Sequence, residues 1–259
     1  MDIPEQVGQK SAEVIQPAKF PEVEMVLIPA GEFLMGSVSG LDQATQPNEY
    51  PQHQLYLPDY YMAKTPVTRF QYASFVQATG YRLPSRRENV PPAAGKQDHP
   101  VVYVSWVDAV AYCHWFSQST GRIYRLPTEA EWEKAARGTD GRFYPWGNLW
   151  DSHRCNTPES GLNQTTPVEA YPDGASPYGV LDMAGNVWEW CATQWGKPYP
   201  YDTGEDEWRP DYLTANARRA LRSGSFYDYR SYARSASRWG EPHESRSKEI
   251  GFRLVTTQI

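Results

Sequence analysis

The sequence predicts an irregular, loop-rich α+β fold with a few short helices and small antiparallel sheets. The chain holds 22 Pro and 19 Gly among 259 residues, so turns must separate short elements along its whole length. Hydrophobic residues make up 40% of the chain and aromatic residues 14%, which indicates a core built largely from rings, with Trp132, Trp188 and Trp190 among the expected core residues. Regular repeat solenoids, coiled coils and disordered chains do not have this composition.

The N-terminal part of the domain is predicted to form strands. Residues 1–22 are polar with little periodicity and are interpreted as a flexible arm before a single domain at residues 23–259. Apolar runs at Met25–Ile28 and at residues 33–37, separated by a Pro-Ala-Gly-Glu turn, predict two strands. Alternating residues at His53–Leu57 predict another strand.

Three helices are predicted from their start and stop signals. Each begins at a Ser or Thr that is followed three residues later by a residue able to complete a capping box, and each ends at a Gly. The expected pairs are Thr68 with Gln71, Ser105 with Asp108, and Thr128 with Glu131, and the expected ends are Gly80, Gly121 and Gly138. Residues 82–99 form a polar, Pro-rich loop that is unusually long for a compact domain.

Beyond Gly138 the pattern becomes irregular. Short strand-like runs at residues 187–191, 220–226 and 251–255 interrupt a stretch rich in Pro, Gly, Tyr and Trp. Such a backbone must satisfy its amides and carbonyls with side chains, water or ions, because buried polar groups are rarely left unpaired. A structural metal with oxygen ligands would meet that need.

Charge and cysteine content exclude several classes of protein. A formal charge of -6 argues against general nucleic-acid binding, although the chain from Ala217 onward carries eight Arg and one Lys against four acidic residues. These Arg residues are interpreted in part as partners of buried carboxylates. No membrane-spanning run or leader pattern is found, and three widely spaced Cys favour a reducing cytoplasm. The five His lack metal-ligand spacing.

Four segments occur in an order that carries a family resemblance. They are MVLIPAGEFLMGS (25–37), RLPTEAEWE (125–133), DMAGNVWEW (182–190), and LRSGSF (221–226), which leads to IGFRL (250–254). Together they resemble the sulfatase-modifying-factor, or formylglycine-generating-enzyme, domain over residues 24–255. The resemblance implies a fold related to the C-type lectins.

The resemblance also implies calcium. The amide oxygen of Asn186 and the carboxylate of Glu189 suit a hard cation, and Asn156 resembles part of a second site. The loop at residues 158–164 lacks the carboxylate expected for that second site. The alternative is that Asn186 and Glu189 only bond neighbouring backbone.

Catalytic members of this family place two cysteines, five residues apart, after a Gly-Ser-aromatic turn. These cysteines bind copper(I) and use oxygen to convert a substrate cysteine into formylglycine. Asp228 and Ala233 occupy those positions here, and neither side chain provides a thiolate. The resemblance therefore predicts no copper and no enzyme of this type. The related iron-dependent sulfoxide synthases take histidine ligands from an N-terminal domain, which the residues before the fold do not supply.

Residues 226–249 have the composition of a recognition surface. Tyr and Trp provide rigid contact area and Ser and Asp provide adaptable hydrogen bonds, as in antibody-like loops. We predict that this segment binds a protein or peptide and that residues 195–208 form a flanking loop. The residues expected to face the ligand are Phe226, Tyr227, Asp228, Tyr229, Tyr232, Ser235, Ser237, Trp239 and His243.

The same C-terminal pattern resembles the variable proteins of diversity-generating retroelements. Those proteins end in a Gly-Ser-aromatic turn, an aromatic and polar variable stretch, and a Gly-Phe-Arg close. The resemblance implies that residues 226–249 differ between copies of the gene. Two alternatives remain open: an oxidoreductase of the formylglycine-generating type with an altered active site, and a structural adaptor that uses residues 82–99 and the N-terminal arm.

Overall fold

The computed structural model describes residues 21–40, 45–81, 94–200 and 217–258. Its α-helices lie where the capping signals predict them: α1 at Arg69–Thr79, α2 at Trp106–Thr120 and α3 at Glu129–Arg137. In each helix the N-cap hydroxyl accepts a hydrogen bond from the third residue, whose side chain reaches back to the N-cap amide. The predicted arm to residue 20, most of the loop at 82–99 and residues 201–208 of the flanking loop lie outside the described residues.

The described strands form three small sheets. They are β1 at Met25–Ile28, β2 at Gly31–Met35, β3 at His53–Leu57, β4 at Tyr60–Ala63, β5 at Trp188–Gln194, β6 at Arg218–Arg222, β7 at Trp239–Pro242, β8 at Ile250–Gly251 and β9 at Val255–Thr256. The sheet orders are β1-β4-β9, β2-β3 and β7-β6-β5-β8, and every pairing is antiparallel except that of β5 with β8. The α+β class predicted from the sequence is confirmed.

The sheets depart from the sequence pattern in three ways. Although the turn between β1 and β2 is tight, the two strands do not pair with each other: β1 pairs with β4 and β2 with β3. Strands β4 and β7 were not predicted, and the sequence of β7 contains Gly and Pro, which are uncommon inside strands. The run at residues 251–255 divides between β8 and β9, which pair with strands of two different sheets.

Aromatic side chains fill the core, as the composition predicted. The ring of Tyr112 on α2 stacks on that of Tyr72 on α1, with 5.8 Å between the centroids. Trp132 and Trp190 are completely buried and Trp188 is 6% exposed. Because one aromatic ring buries about 150–250 Å² of surface, a few rings compensate for a modest share of aliphatic residues. None of the described helices has the length and apolar character needed to cross a bilayer.

Candidate functional site

The site begins at the turn Ser223-Gly224-Ser225, directly after β6. The Gly185 amide donates to the Ser223 carbonyl at 2.7 Å, which anchors the turn to the segment before β5. Gly224 has a φ of +72°, and a Cβ on it would lie 2.9 Å from the carbonyl carbon and oxygen of Tyr232. Glycine is therefore required here, because the chain folds back directly over the turn.

Asp228 is held just after this turn. One of its oxygens, Oδ2, accepts hydrogen bonds from the indole Nε1 of Trp188 at 2.8 Å and from the hydroxyl of Ser225. The ring of Tyr232 lies edge-on to that of Trp188, with centroids 6.0 Å apart. Strand β5 thus brings an indole, and the turn brings a hydroxyl, to a carboxylate that is partly open to solvent.

A cavity of about 580 Å³ opens beside Asp228. Its apolar lining comes from β5, β6 and β8 and from two aromatic residues of the predicted surface: Trp188, Leu221, Ile250, Tyr232 and Trp239. Its polar lining is Asp228, Glu241, Ser245, Arg246, Ser247 and Glu249. The volume lies within the range of small-ligand pockets, about 300–1,000 Å³. Of these residues, Trp188 was predicted only as core and Glu241, Arg246 and Glu249 were not selected, since nothing local distinguishes them from other charged residues.

The structure divides the predicted ligand-facing residues into an exposed and a buried group. Tyr227, Tyr229 and Trp239 are 61%, 73% and 43% exposed. Asp228, Tyr232 and His243 are partly exposed, and the first two line the cavity together with Trp239.

The prediction that the remaining three residues face the ligand is wrong. Phe226, Ser235 and Ser237 are only 3%, 0% and 1% exposed, so their side chains do not face a ligand. The guanidinium of Arg222 donates to the carbonyls of Ser235 and Ser237 at 3.1 and 3.3 Å. The backbone around Ser235 and Ser237 therefore faces the interior, where its carbonyls accept from the buried Arg222 guanidinium.

Buried ion pairs tie the C-terminal segment to the rest of the fold. Arg222 contacts Glu129 and Glu133 of α3 at 2.9 and 2.8 Å, and Arg238 contacts Glu129 at 2.5 Å. Arg234, on the same segment, pairs with Glu49 at 2.6 Å. The side chains in these pairs are at most 2% exposed. The interpretation of the C-terminal arginines as partners of buried carboxylates is confirmed for these three.

The ion pair of Glu133 with Arg222, and that of Glu131 with Arg125 at 2.6 Å, predict a loss of stability in acid. Burial by itself would raise the pKa of Glu133 and Glu131, but Arg222 and Arg137 beside Glu133, and Arg125 beside Glu131, hold each pKa below the ordinary 4.5. Their stabilisation is complete above that value and disappears as the pH falls through the lowered pKa of the folded state. We expect the free energy of unfolding to decrease once the pH falls below 4.5, by about 1.4 kcal/mol per pH unit for each proton taken up on unfolding. The urea midpoint should decrease with it. An unchanged midpoint at pH 3 would contradict this assignment.

Ala233, which the sequence predicts to replace the second cysteine of catalytic relatives, lies in the interior. Ala233 is 1% exposed and packs in a small cluster with Cys155 and Ala184. Burial raises the pKa of the Cys155 thiol to about 12, so this sulfur stays protonated near neutral pH. The sequence did not associate Cys155 with Ala233, since they lie far apart along the chain and only the fold brings them together.

The residues predicted to bind calcium have other partners. Both carboxylate oxygens of Glu189 accept from the Arg253 guanidinium at 2.6 Å. The amide oxygen of Asn186 accepts from the Thr166 amide at 3.0 Å and from the Asn156 side chain at 3.2 Å. Because N–H donors occupy these oxygens, this arrangement does not fit a calcium ion as it stands. Calcium binding by the chain stays a prediction.

Comparison with known proteins identifies relatives of two kinds. The formylglycine-generating enzyme of Streptomyces coelicolor is 34% identical over 288 residues, which cover 89% of this chain and 88% of that protein. A protein of Bos taurus named inactive C-alpha-formylglycine-generating enzyme 2 is 31% identical over 293 residues, covering 90% of this chain and 88% of its own. The relatives thus include proteins named as enzymes and proteins named as inactive.

Solved structures confirm the fold. PvdO from Pseudomonas aeruginosa matches with a TM-score of 0.78 and 28% identity, covering 90% of this chain and 94% of its own. The variable protein 1 of Treponema denticola matches with a TM-score of 0.71 and 24% identity, covering 90% and 95%, and at that identity the match shows the fold alone. The predicted C-type-lectin-like architecture is confirmed.

A family model for the sulfatase-modifying factor enzyme 1-like domain matches residues 10–258. This range contains all four sequence segments on which the resemblance was based, together with the turn, the cavity and the positions Asp228 and Ala233. The chain therefore belongs to the family of sulfatase-modifying factor enzyme 1-like domains.

Proposed function

We propose that this protein is a non-catalytic module that binds a protein or peptide at the surface around the cavity. The proposal rests on the prediction from the sequence that Asp228 and Ala233 replace the two copper-binding cysteines of catalytic members. It is supported by one observation, that Asp228 lines an open cavity whereas Ala233 is buried. A carboxylate and a methyl group do not hold copper(I) or exchange electrons as thiols do. The surface around Asp228 is concave and carries exposed aromatic residues.

Exposed aromatic residues support binding. Tyr227, Tyr229 and Trp239 are exposed on the segment that borders the cavity. Tyr and Trp are enriched among residues that dominate binding energies, because they bury a large area at a small cost in side-chain entropy. We assign these three residues and the cavity to one contact surface.

The rigidity of the support favours binding as well. The pairs of Arg222 and Arg238 with Glu129, and of Arg234 with Glu49, hold the segment that carries the aromatic residues. A surface that is already ordered loses less conformational entropy when a ligand binds. The buried arginines therefore support recognition indirectly, without contacting the ligand.

The alternatives lead to different experiments. An altered oxidoreductase is favoured by relatives named formylglycine-generating enzyme, whereas the non-catalytic module is favoured by relatives named inactive.

A diversified surface at residues 226–249 predicts that copies of the gene differ at the codons for the exposed residues and not at those for Ser235 and Ser237. Sequence differences scattered evenly along the gene would contradict that proposal.

The binding proposal is tested by selecting displayed random peptides on the wild-type protein. We expect the selected peptides to lose about 30-fold in affinity or more when Trp239 is replaced by Ala, which corresponds to about 2 kcal/mol for a central aromatic residue. Tyr56→Ala is the matched control, because Tyr56 is 59% exposed on β3 and does not line the cavity. Equal losses in both variants would contradict the assignment of the surface.

Catalysis is tested separately. We expect no formylglycine when the wild-type protein, loaded with copper(I), is incubated in air with a cysteine-containing peptide and the product is measured by mass spectrometry. The reason is that a catalytic thiolate pair cannot form at Asp228 and Ala233. Repeated turnover of the peptide would favour the oxidoreductase and overturn the non-catalytic proposal.

A further inference from the structure

The cavity is acidic, although the segment that forms much of it is basic. Among the described residues, its lining holds three carboxylates, on Asp228, Glu241 and Glu249, and one cationic side chain, on Arg246. That guanidinium points to a partner outside the lining: it donates to both carboxylate oxygens of Asp108 at 2.8 and 3.1 Å. Because this bidentate pair neutralises Arg246, the net charge within the cavity is negative.

Neutral groups supply most of the hydrogen bonds to these carboxylates. Asp228 accepts from an indole and a hydroxyl, both at Oδ2, and Glu241 accepts from the Trp239 indole at 3.0 Å and the Ser245 hydroxyl at 3.4 Å. Such bonds orient a carboxylate but leave its charge in place. Glu249 has a distant cation, the Lys248 ammonium at 3.9 Å.

Asp228 and Glu249 repel each other. Burial, and then the charge of Asp228, raise the pKa of Glu249, against a smaller opposite effect from Lys248. Two carboxylates that raise each other's energy in this way gain from a cation placed between them. Lys248 does not fill this role, because its ammonium lies over the ring of Tyr227, 4.7 Å from the centroid.

The aromatic residues that line the cavity also favour a cation. Trp188, Tyr232 and Trp239 line the cavity together with the carboxylates. The face of an aromatic ring attracts a cation, by about 0.5–2 kcal/mol depending on solvation. A guanidinium suits such a site especially well, because it is planar, stacks on rings and bonds carboxylates through two donors.

We propose that the cavity binds a guanidinium or alkylammonium group, presented by an Arg or Lys side chain of the peptide ligand. The peptide source rests on the proposed function, whereas the preference for a cation rests on the cavity alone. The cation lies against the aromatic walls between Asp228, the residue predicted to replace the first cysteine of catalytic relatives, and Glu249.

The test uses N-acetylarginine N-methylamide and its citrulline counterpart, which has nearly the same shape and no charge. Binding is followed by NMR through the indole N–H of Trp188, since that group donates to Asp228 and senses a ligand there. We expect a saturable shift with the arginine probe and at least tenfold weaker binding of the citrulline probe. Equal binding of both probes, or no shift with either, overturns the proposal.

Variants locate the cation. Glu249→Gln and Asp228→Asn are expected to weaken the arginine probe at least fivefold, and both variants retain acceptors for the existing hydrogen bonds. Glu244→Gln is the matched control, because Glu244 is exposed and lies outside the cavity lining, so the same change in charge should leave binding unaltered. Equal weakening in all three variants would indicate a diffuse electrostatic effect and would overturn the assigned site.

The source of the cation is distinguished with agmatine and with peptides selected on the wild-type protein. Replacing their Arg by citrulline is expected to reduce affinity tenfold or more, and tighter binding of the peptide than of agmatine supports a peptide side chain. If agmatine binds as tightly as the peptides, the cation preference stands and the ligand is a free amine or guanidine. If selected peptides lose affinity in Trp239→Ala but not on citrulline replacement, the proposed function stands and the cation proposal fails.

Discussion

Replacing Glu129 by Gln is expected to lower the free energy of unfolding by about 3–5 kcal/mol, the usual cost of breaking a buried ion pair by removing one partner. Glu129 is completely buried and accepts hydrogen bonds from two guanidiniums, those of Arg222 and Arg238. The neutral amide preserves the shape of the side chain and leaves two buried cations without this counter-charge. Because proteins of this size are stabilised by only about 5–15 kcal/mol, this loss is a large share of the total, and the urea midpoint of the variant should fall well below that of the wild type.

The control for this variant is Glu24→Gln. Glu24 also forms an ion pair, with Lys64 at 2.9 Å, but its side chain is 65% exposed. Exposed pairs contribute about 0–1 kcal/mol, so the same chemical change should shift the urea midpoint little. Equal shifts of the urea midpoint in both variants would contradict the inference that the buried Glu129 pairs stabilise the fold more than an exposed pair does.

Gly224→Ala is expected to destabilise the protein by about 2–5 kcal/mol and to abolish binding at the cavity. A left-handed backbone costs a non-glycine residue about 1–2 kcal/mol. The new methyl group would in addition lie 2.9 Å from the backbone of Tyr232, and crowding of a packed site adds about 1–3 kcal/mol. Relief of that contact must displace Tyr232, whose ring lines the cavity. We therefore expect both a lower urea midpoint and a loss of binding of the arginine probe.

Gly80→Ala separates the two contributions. Gly80 caps the end of α1 with a φ of +67°, close to the +72° of Gly224, and a Cβ there would meet no atom of the described residues within 4 Å. We therefore expect only the backbone cost of about 1–2 kcal/mol and unchanged probe binding. A loss at Gly80 as large as that at Gly224 would show that the close approach of Tyr232 is unimportant.

The helices were predictable because their signals are local. The capping hydroxyls of Thr68, Ser105 and Thr128 act on residues three positions away, and the structure places all three at helix N-caps. Strand pairing was less predictable, since β1 has no local feature that selects β4 over β2. The order of four short segments identified the family, because those segments carry its structural constraints.

The composition of the site was predictable, but the orientation of its side chains was not. Tyr229 and Ser235 belong to the same Tyr- and Ser-rich stretch, yet one side chain is 73% exposed and the other is completely buried. The difference arises from Arg222, which binds the Ser235 carbonyl from a strand thirteen residues earlier. An alternating or helical pattern does not encode such a contact.

The sequence by itself determined the family, the three helices and the absence of cysteine at positions 228 and 233. Each of these depends on residue identity or on spacings of a few residues. Only the tertiary structure decided which aromatic residues meet solvent, which arginines are neutralised and where the acidic cavity forms. Arg222 and Glu129 lie 93 residues apart, and Arg246 and Asp108 lie 138 apart. Contacts of that range depend on how the whole chain packs, so the sign of the charge in the cavity differs from that of the segment that forms much of it.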